Sequence, residues 1–150
     1  MQATSVTPIL NVSSVPASFA WFEALGWKRG FAWNDGGMIP GSADSNSHGP
    51  ATFGSVCTGT PGAEEVQIFL CCGAQGLRGG KAPYPGCDDD VGAMWMSLWL
   101  PSLAAVDAAY ELAKSKGVTI VTPPVNEPWG VRECRIMHPD GHVFRLSAHH

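Results

Sequence analysis

The stretch SVPASFAWFE (residues 14–23) returns 88 residues later as SLAAVDAAYE (102–111), with Ser14, Ala17, Ala20, Phe22 and Glu23 meeting Ser102, Ala105, Ala108, Tyr110 and Glu111. Each copy opens on a serine, whose hydroxyl accepts from the N–H groups left unpaired at a helix start. The first copy carries Pro16 in its opening turn, where a missing N–H costs nothing. Apolar residues then recur at helical spacing: Val15, Phe19, Phe22 and Leu25 in one copy, Leu103, Val106, Tyr110 and Ala113 in the other, with Gly26 and Gly117 ending the runs. Two helices matched at a single offset predict two copies of one structural unit.

Working outward, strand-like runs flank both helices. TPILNV (7–12) precedes the first helix; WKRGFAW (27–33), residues 51–58 and residues 65–72 follow it, and the polar, Gly-rich segment 34–50 reads as a loop. Around the second helix, residues 94–100 and 118–121 read as strands, with Pro123 and Pro124 breaking the latter, and residues 132–137 and 142–147 form a hairpin across the turn His138-Pro139-Asp140-Gly141. The expected architecture is α+β, one domain spanning 1–150: a β-α-β-β-β module over about 4–73, a Gly/Pro/Asp-rich linker over about 74–92, and a second module over about 93–148. A lone module leaves a half-apolar sheet face uncovered, so the modules are expected to pair into a curved mixed sheet around a cleft, within one chain or between two.

Composition narrows the function classes. At 150 residues and 45% hydrophobic, the chain buries roughly 70% of its unfolded surface and needs neither disulfides nor a metal to fold. No apolar run reaches the length of a membrane span, and no basic stretch leads into an apolar core at the N-terminus, so a cytoplasmic address is expected. Five cysteines, Cys71 and Cys72 adjacent, read as strand thiols of a reducing compartment. A net charge of −4 without any Lys/Arg cluster argues against a nucleic-acid surface.

The remaining polar groups assemble no site by themselves. His48, His138 and His142 read as exposed loop and turn histidines, and His149 and His150 stay out of the chemistry as residues that a purification tag would supply. The run Asp88-Asp89-Asp90 lacks the spacing of a calcium loop. Cys71 and Cys134 have no evident activating partner and read as packing residues. Glu133 is either a general base, if desolvation raises its pKa, or an ion-paired carboxylate.

The opening TPILNVSSVPASFAWFEALGWKRGFAW (7–33) and the closing EPWGVRECRIMHPDGHVFRLS (127–147) resemble the vicinal oxygen chelate superfamily of lactoylglutathione lyases, extradiol dioxygenases and bleomycin resistance proteins, and are closest in pattern to the last of these. The resemblance implies the glyoxalase/bleomycin resistance fold and covers nearly the whole chain. It also implies where a divalent metal would be held, and this sequence places Thr7, Phe69, Trp95 and Arg145 at those positions, Thr7 and Trp95 being related by the same offset of 88. Phenyl and indole rings and a permanent cation cannot ligate a divalent ion, and Thr7 offers at most a weak oxygen, so neither metal nor cofactor is expected.

With rings at those positions, the expected cleft is aromatic with one fixed cation, Arg145, which suits a planar, partly apolar ligand. Strand alternation puts Trp95, Ser97 and Trp99 on one face, opposite Met94, Met96 and Leu98. Trp33, Trp99 and Trp129 are further wall candidates, and the resemblance gives Trp129 of the Pro-Trp-Gly motif a ligand-stacking role. Each tryptophan alone is equally well an ordinary core or interface aromatic. The expected ligand-binding set is therefore Trp129, Trp95, Phe69, Arg145, Trp33, Trp99 and Glu133, with no catalytic set. The function expected is metal-independent sequestration of a planar or aromatic compound, such as an antibiotic, by a homodimer; the alternative is a glyoxalase-like lyase or isomerase, or a dioxygenase-like enzyme, on the same fold.

Overall fold

The computed structural model describes residues 2, 5–34, 36–39, 49–59, 65–72 and 93–150. The linker expected over 74–92, Asp88 to Asp90, Cys87 and His48 lie outside the described residues. The chain divides into two compact units, Met1–Arg78 and Gly79–His150.

The first unit runs β1 (Ile9–Asn11), α1 (Val15–Ala24), β2 (Lys28–Asn34), β3 (Gly37–Ile39), β4 (Phe53–Thr58) and β5 (Val66–Cys71). Its sheet has the order β1-β5-β4-β2-β3, with β1 parallel to β5 and the other pairs antiparallel. The Ser14 hydroxyl accepts from the Ala17 N–H at 3.2 Å and starts α1 as expected. Val15, Phe19 and Phe22 are buried against the sheet, with Leu10, Val56, Ile68 and Leu70 beneath them. Gly54 permits this packing: a Cβ there would stand 2.5 Å from Phe19 Cζ and 2.8 Å from the Phe31 carbonyl oxygen. The short strand β3 corrects the expectation of a loop throughout 34–50, since Met38 and Ile39 pair with Trp33 and Ala32. Three residues are too short a run for periodicity to register.

The second unit runs β6 (Trp95–Trp99), α2 (Leu103–Ser115), β7 (Thr119–Glu127), β8 (Val131–Met137) and β9 (Val143–His149), in the sheet order β6-β9-β8-β7. This order matches β1-β5-β4-β2, including the parallel pairing of first and last strands. Ser102 caps α2 as Ser14 caps α1, with its hydroxyl accepting from Ala105 N–H at 3.2 Å. The register makes the repeat concrete. Ile9 pairs with Phe69, and Ser97, 88 residues after Ile9, pairs with Arg145, so Phe69 and Arg145 hold equivalent positions.

Three expectations are corrected in this unit. Pro123 and Pro124 do not end the strand, because β7 lies at the sheet edge and its ladder with β8 shifts register between Ile120 and Thr122 and again between Thr122 and Val125. Edge positions and bulges are where a residue without an N–H is tolerated. His138 and His142 are buried, each 2% exposed, where exposed turn residues were expected. Each ring takes a structural hydrogen bond, His142 Nδ1 accepting from Met94 N–H at 3.0 Å and His138 Nδ1 from Asp140 N–H at 3.1 Å. Finally, the last strand, expected to end at 147, runs on to His149, whose imidazole is stacked on Trp99 with centroids 4.5 Å apart. No described helix is long and apolar enough to cross a membrane.

Candidate functional site

The two faces of the second sheet differ because its strands alternate in register. One face carries Cys134, Ile136, Phe144, Leu146 and Ala148, buried under α2, and Arg132 reaches from it to Asp107 of that helix at 2.7 Å. The other face carries Trp95, Ser97 and Trp99 of β6, Arg145, Ser147 and His149 of β9, and Glu133 and Arg135 of β8. The alternation expected for Trp95, Ser97 and Trp99 is observed within β6, where all three are exposed and Met96 and Leu98 are half-buried, but Met94, expected on the inner face, precedes the strand and is exposed. Arg132, adjacent to Glu133, therefore points away from this face.

At the centre of this second face a carboxylate lies between two guanidiniums. Glu133 is 1% exposed, and its Oε1 accepts from Arg135 Nε at 3.0 Å and Nη2 at 2.8 Å. Its Oε2 accepts from Arg145 Nη2, and Arg145 Nη1 points at the Ser97 hydroxyl, 3.4 Å away. The Arg135 guanidinium lies 5.2 Å from the Trp95 ring centroid, within cation–π reach. Burial pushes the Glu133 carboxyl up, but the hydrogen bonds and charges of Arg145 and Arg135 outweigh it and hold the pKa below the usual 4.5. Of the two readings of Glu133, the ion-paired one is observed. A carboxylate held this way is a poor proton acceptor at neutral pH.

The single cation expected on this face is thus two guanidiniums, one of them neutralised. Arg135 was not among the expected site residues, nor were Ser147 and His149. The signal was present in the turn at 138–141, which fixes the hairpin register and sets Arg135 opposite Arg145 and Glu133 opposite Ser147.

The described residues distribute the expected set over both units. Thr7, Trp33 and Phe69 belong to the first, where Phe69 meets Phe31 and Phe53 with all three centroid distances between 5.5 and 5.6 Å, and Trp33 pairs with Phe53 in the ladder. Trp95, Trp99, Trp129, Glu133 and Arg145 belong to the second. Trp129 sits in the β7–β8 turn, which Gly130 N–H closes on the Glu127 carbonyl at 3.1 Å. From Trp33 at 46% to Trp95 at 63%, these four tryptophans are too exposed to be core residues.

The donor set does not fit a divalent metal at the four positions named above. Phe69 and Trp95 have no ligating atom, and Arg145 brings a positive charge. Both oxygens of Glu133 are engaged by guanidiniums. Among the described residues, no three His, Cys, Asp or Glu side chains gather as a metal-binding group.

Residues 4–146 match the family model described as the Glyoxalase/Bleomycin resistance protein/Dioxygenase superfamily. No curated protein sequence matches the chain. Among solved structures, a glyoxalase-related enzyme from Clostridium phytofermentans is similar, with a TM-score of 0.65 and 18% identity, over 100% of this chain and 98% of that one. TioX from Micromonospora sp. ML1 is similar at a TM-score of 0.61 and 15% identity, over 98% and 97%. FosX, a genomically encoded fosfomycin resistance protein from Listeria monocytogenes, is similar at 0.59 and 14%, over 100% and 96%. At these identities the likeness is one of fold.

Proposed function

This chain belongs to the glyoxalase/bleomycin resistance protein/dioxygenase superfamily, and on that premise we propose that it acts by affinity, binding a planar, partly apolar small molecule and releasing it unchanged. The scaffold carries several unrelated activities, so the reading rests on this chain's own residues. One observation carries it: Arg145, at a position where the resemblance places a metal ligand, is instead bonded to the buried Glu133. A guanidinium and a carboxylate so paired supply orientation and charge, with neither a Lewis acid nor a nucleophile.

The flanking rings supply the rest. Trp95 and Trp99 on the same face, and Trp129 beside the Trp99 end of the sheet, offer exposed indoles for stacking. The half-buried Phe31, Phe53 and Phe69 cluster gives the first unit a face of similar character. Sequestration of a planar antibiotic is the form of this activity that the resemblance to bleomycin resistance proteins favours.

Titration of the purified protein with bleomycin and a panel of planar compounds, followed by tryptophan fluorescence, tests the reading. Saturable quenching by at least one of them is expected. An unchanged spectrum across the whole panel overturns it.

A further inference from the structure

Two buried polar atoms on the face of the second sheet opposite α2 have no hydrogen-bond partner among the described residues: Arg145 Nε and Ser147 Oγ. Buried polar groups are nearly always paired, so each such vacancy calls for a physical reason. The two residues are alternate positions of β9 and share one face, with Ser147 between Trp99 and Glu133 in the ladder and Arg145 between Ser97 and Arg135. Ser147 is fully buried. Neither atom is hydrogen-bonded to Glu133, whose oxygens accept instead from Arg135 and from the Arg145 terminal nitrogen.

The chemistry of these two atoms fixes the polarity of what is missing. A guanidinium N–H donates and never accepts, and a hydroxyl can donate alongside it, so the absent partner is an acceptor. Two guanidiniums against one carboxylate leave the cluster with a surplus positive charge, which favours an anionic acceptor over a carbonyl or ether oxygen. The chain's net charge of −4 opposes this only weakly, because distant surface charges are screened at physiological salt while a short, partly buried contact is not. Trp95 and Trp99 stand two residues to either side of Ser97 on the neighbouring strand, so a ring attached to the anion has indole surface within reach.

We propose that this face contains a carboxylate subsite and that the ligand is an aromatic carboxylate, its oxygens accepting from Arg145 Nε and Ser147 Oγ while its ring lies against the β6 tryptophans. The inference rests on the reading that the face binds a planar ligand and narrows that ligand's class. Arg145 has a double part in it, holding Glu133 through one terminal nitrogen and the ligand through Nε.

Isothermal titration calorimetry with naphthoate, naphthylmethanol and naphthylmethylammonium compares an anion, a neutral group and a cation on the same ring. Naphthoate is expected to bind at least about tenfold more tightly than either of the others, a difference of about 1.4 kcal/mol. In S147A the naphthoate affinity is expected to fall several-fold while that of naphthylmethanol stays the same. Equal binding of all three probes, or an S147A effect shared by all three, overturns the carboxylate subsite and leaves the planar-ligand reading standing. Binding by none of them overturns the carboxylate subsite, and the fluorescence panel then decides the planar-ligand reading. The wild-type comparison decides the matter if S147A fails to fold.

Discussion

Arg145 and Glu133 are bonded across the β8–β9 ladder two residues off the direct pairing: Glu133 stands opposite Ser147, and Arg145 opposite Arg135. The diagonal lets a single carboxylate serve two guanidiniums that would otherwise face each other as like charges. That arrangement explains how two arginines are held at the centre of a sheet face.

Removing the carboxylate exposes this dependence. E133A leaves two neighbouring cations unpaired and is expected to destabilise the protein by about 2–3 kcal/mol, at or below the lower end of the range for breaking a buried pair because part of each arginine remains solvated. The Arg135 and Arg145 side chains are 26% and 28% exposed. Urea unfolding followed by tryptophan fluorescence measures the loss. Wild-type stability in E133A contradicts the pairing.

The same carboxylate gives an acid dependence of definite sign. Its pKa is lower folded than unfolded, so its contribution is complete above the ordinary value of 4.5 and disappears as pH falls through the lowered value. Urea midpoints measured from neutral pH downward should decline through this window in the wild type, and less steeply in E133Q. Parallel curves for the two proteins contradict the assignment.

Cysteine reactivity should separate by position. Burial first, then the Asp107 charge, pushes the Cys134 thiol from 9.0 up to about 11, so it stays protonated at neutral pH, whereas Cys72 is exposed with its thiol 3.3 Å from the Ser13 carbonyl oxygen. Native protein treated with a thiol-specific disulfide reagent should label Cys72 and spare Cys134, as peptide mapping would show. Because the Cys134 pKa is raised on folding, its contribution is complete below 9.0 and is lost as pH climbs toward 11, by about 2–3 kcal/mol in all. Ready labelling of native Cys134 would contradict its burial.

Gly54 offers a test of the first unit alone. G54A places a methyl group against the Phe19 ring and the Phe31 carbonyl, and overpacking of this kind costs about 1–3 kcal/mol. G30A presses instead on the buried Ser55 hydroxyl, whose displacement gives up its hydrogen bond from Phe31 N–H, a cost of about 1 kcal/mol. Thermal unfolding should show the larger loss for G54A if the α1 contact is as tight as described.

How much of this was legible in the sequence follows from where each signal is local. Both serine caps, the helical stripes and the hairpin turn are short-range patterns, and each led to the element observed. The three-residue β3 is below the length at which alternation can be read, and the passage of β7 through Pro123 and Pro124 depends on its lying at a sheet edge, which is a tertiary fact. The burial of His142 is likewise a tertiary fact, its ring accepting from the N–H of Met94, 48 residues earlier. On the candidate site, alternation placed Trp95 and Trp99 on one face, but the Glu133 ion pairs require the β8–β9 hairpin register as well. Arg135 becomes visible only when the turn at 138–141 is used to set the register that places it opposite Arg145.

The most direct test of the central claim, that this face binds by stacking and charge and does not hold a metal, is elemental analysis of the dialysed protein alongside its ligand affinity before and after chelator treatment. The account predicts no stoichiometric divalent metal and an affinity unchanged by the chelator. One equivalent of zinc, nickel, manganese or iron surviving dialysis, with ligand binding lost when it is stripped, would contradict it.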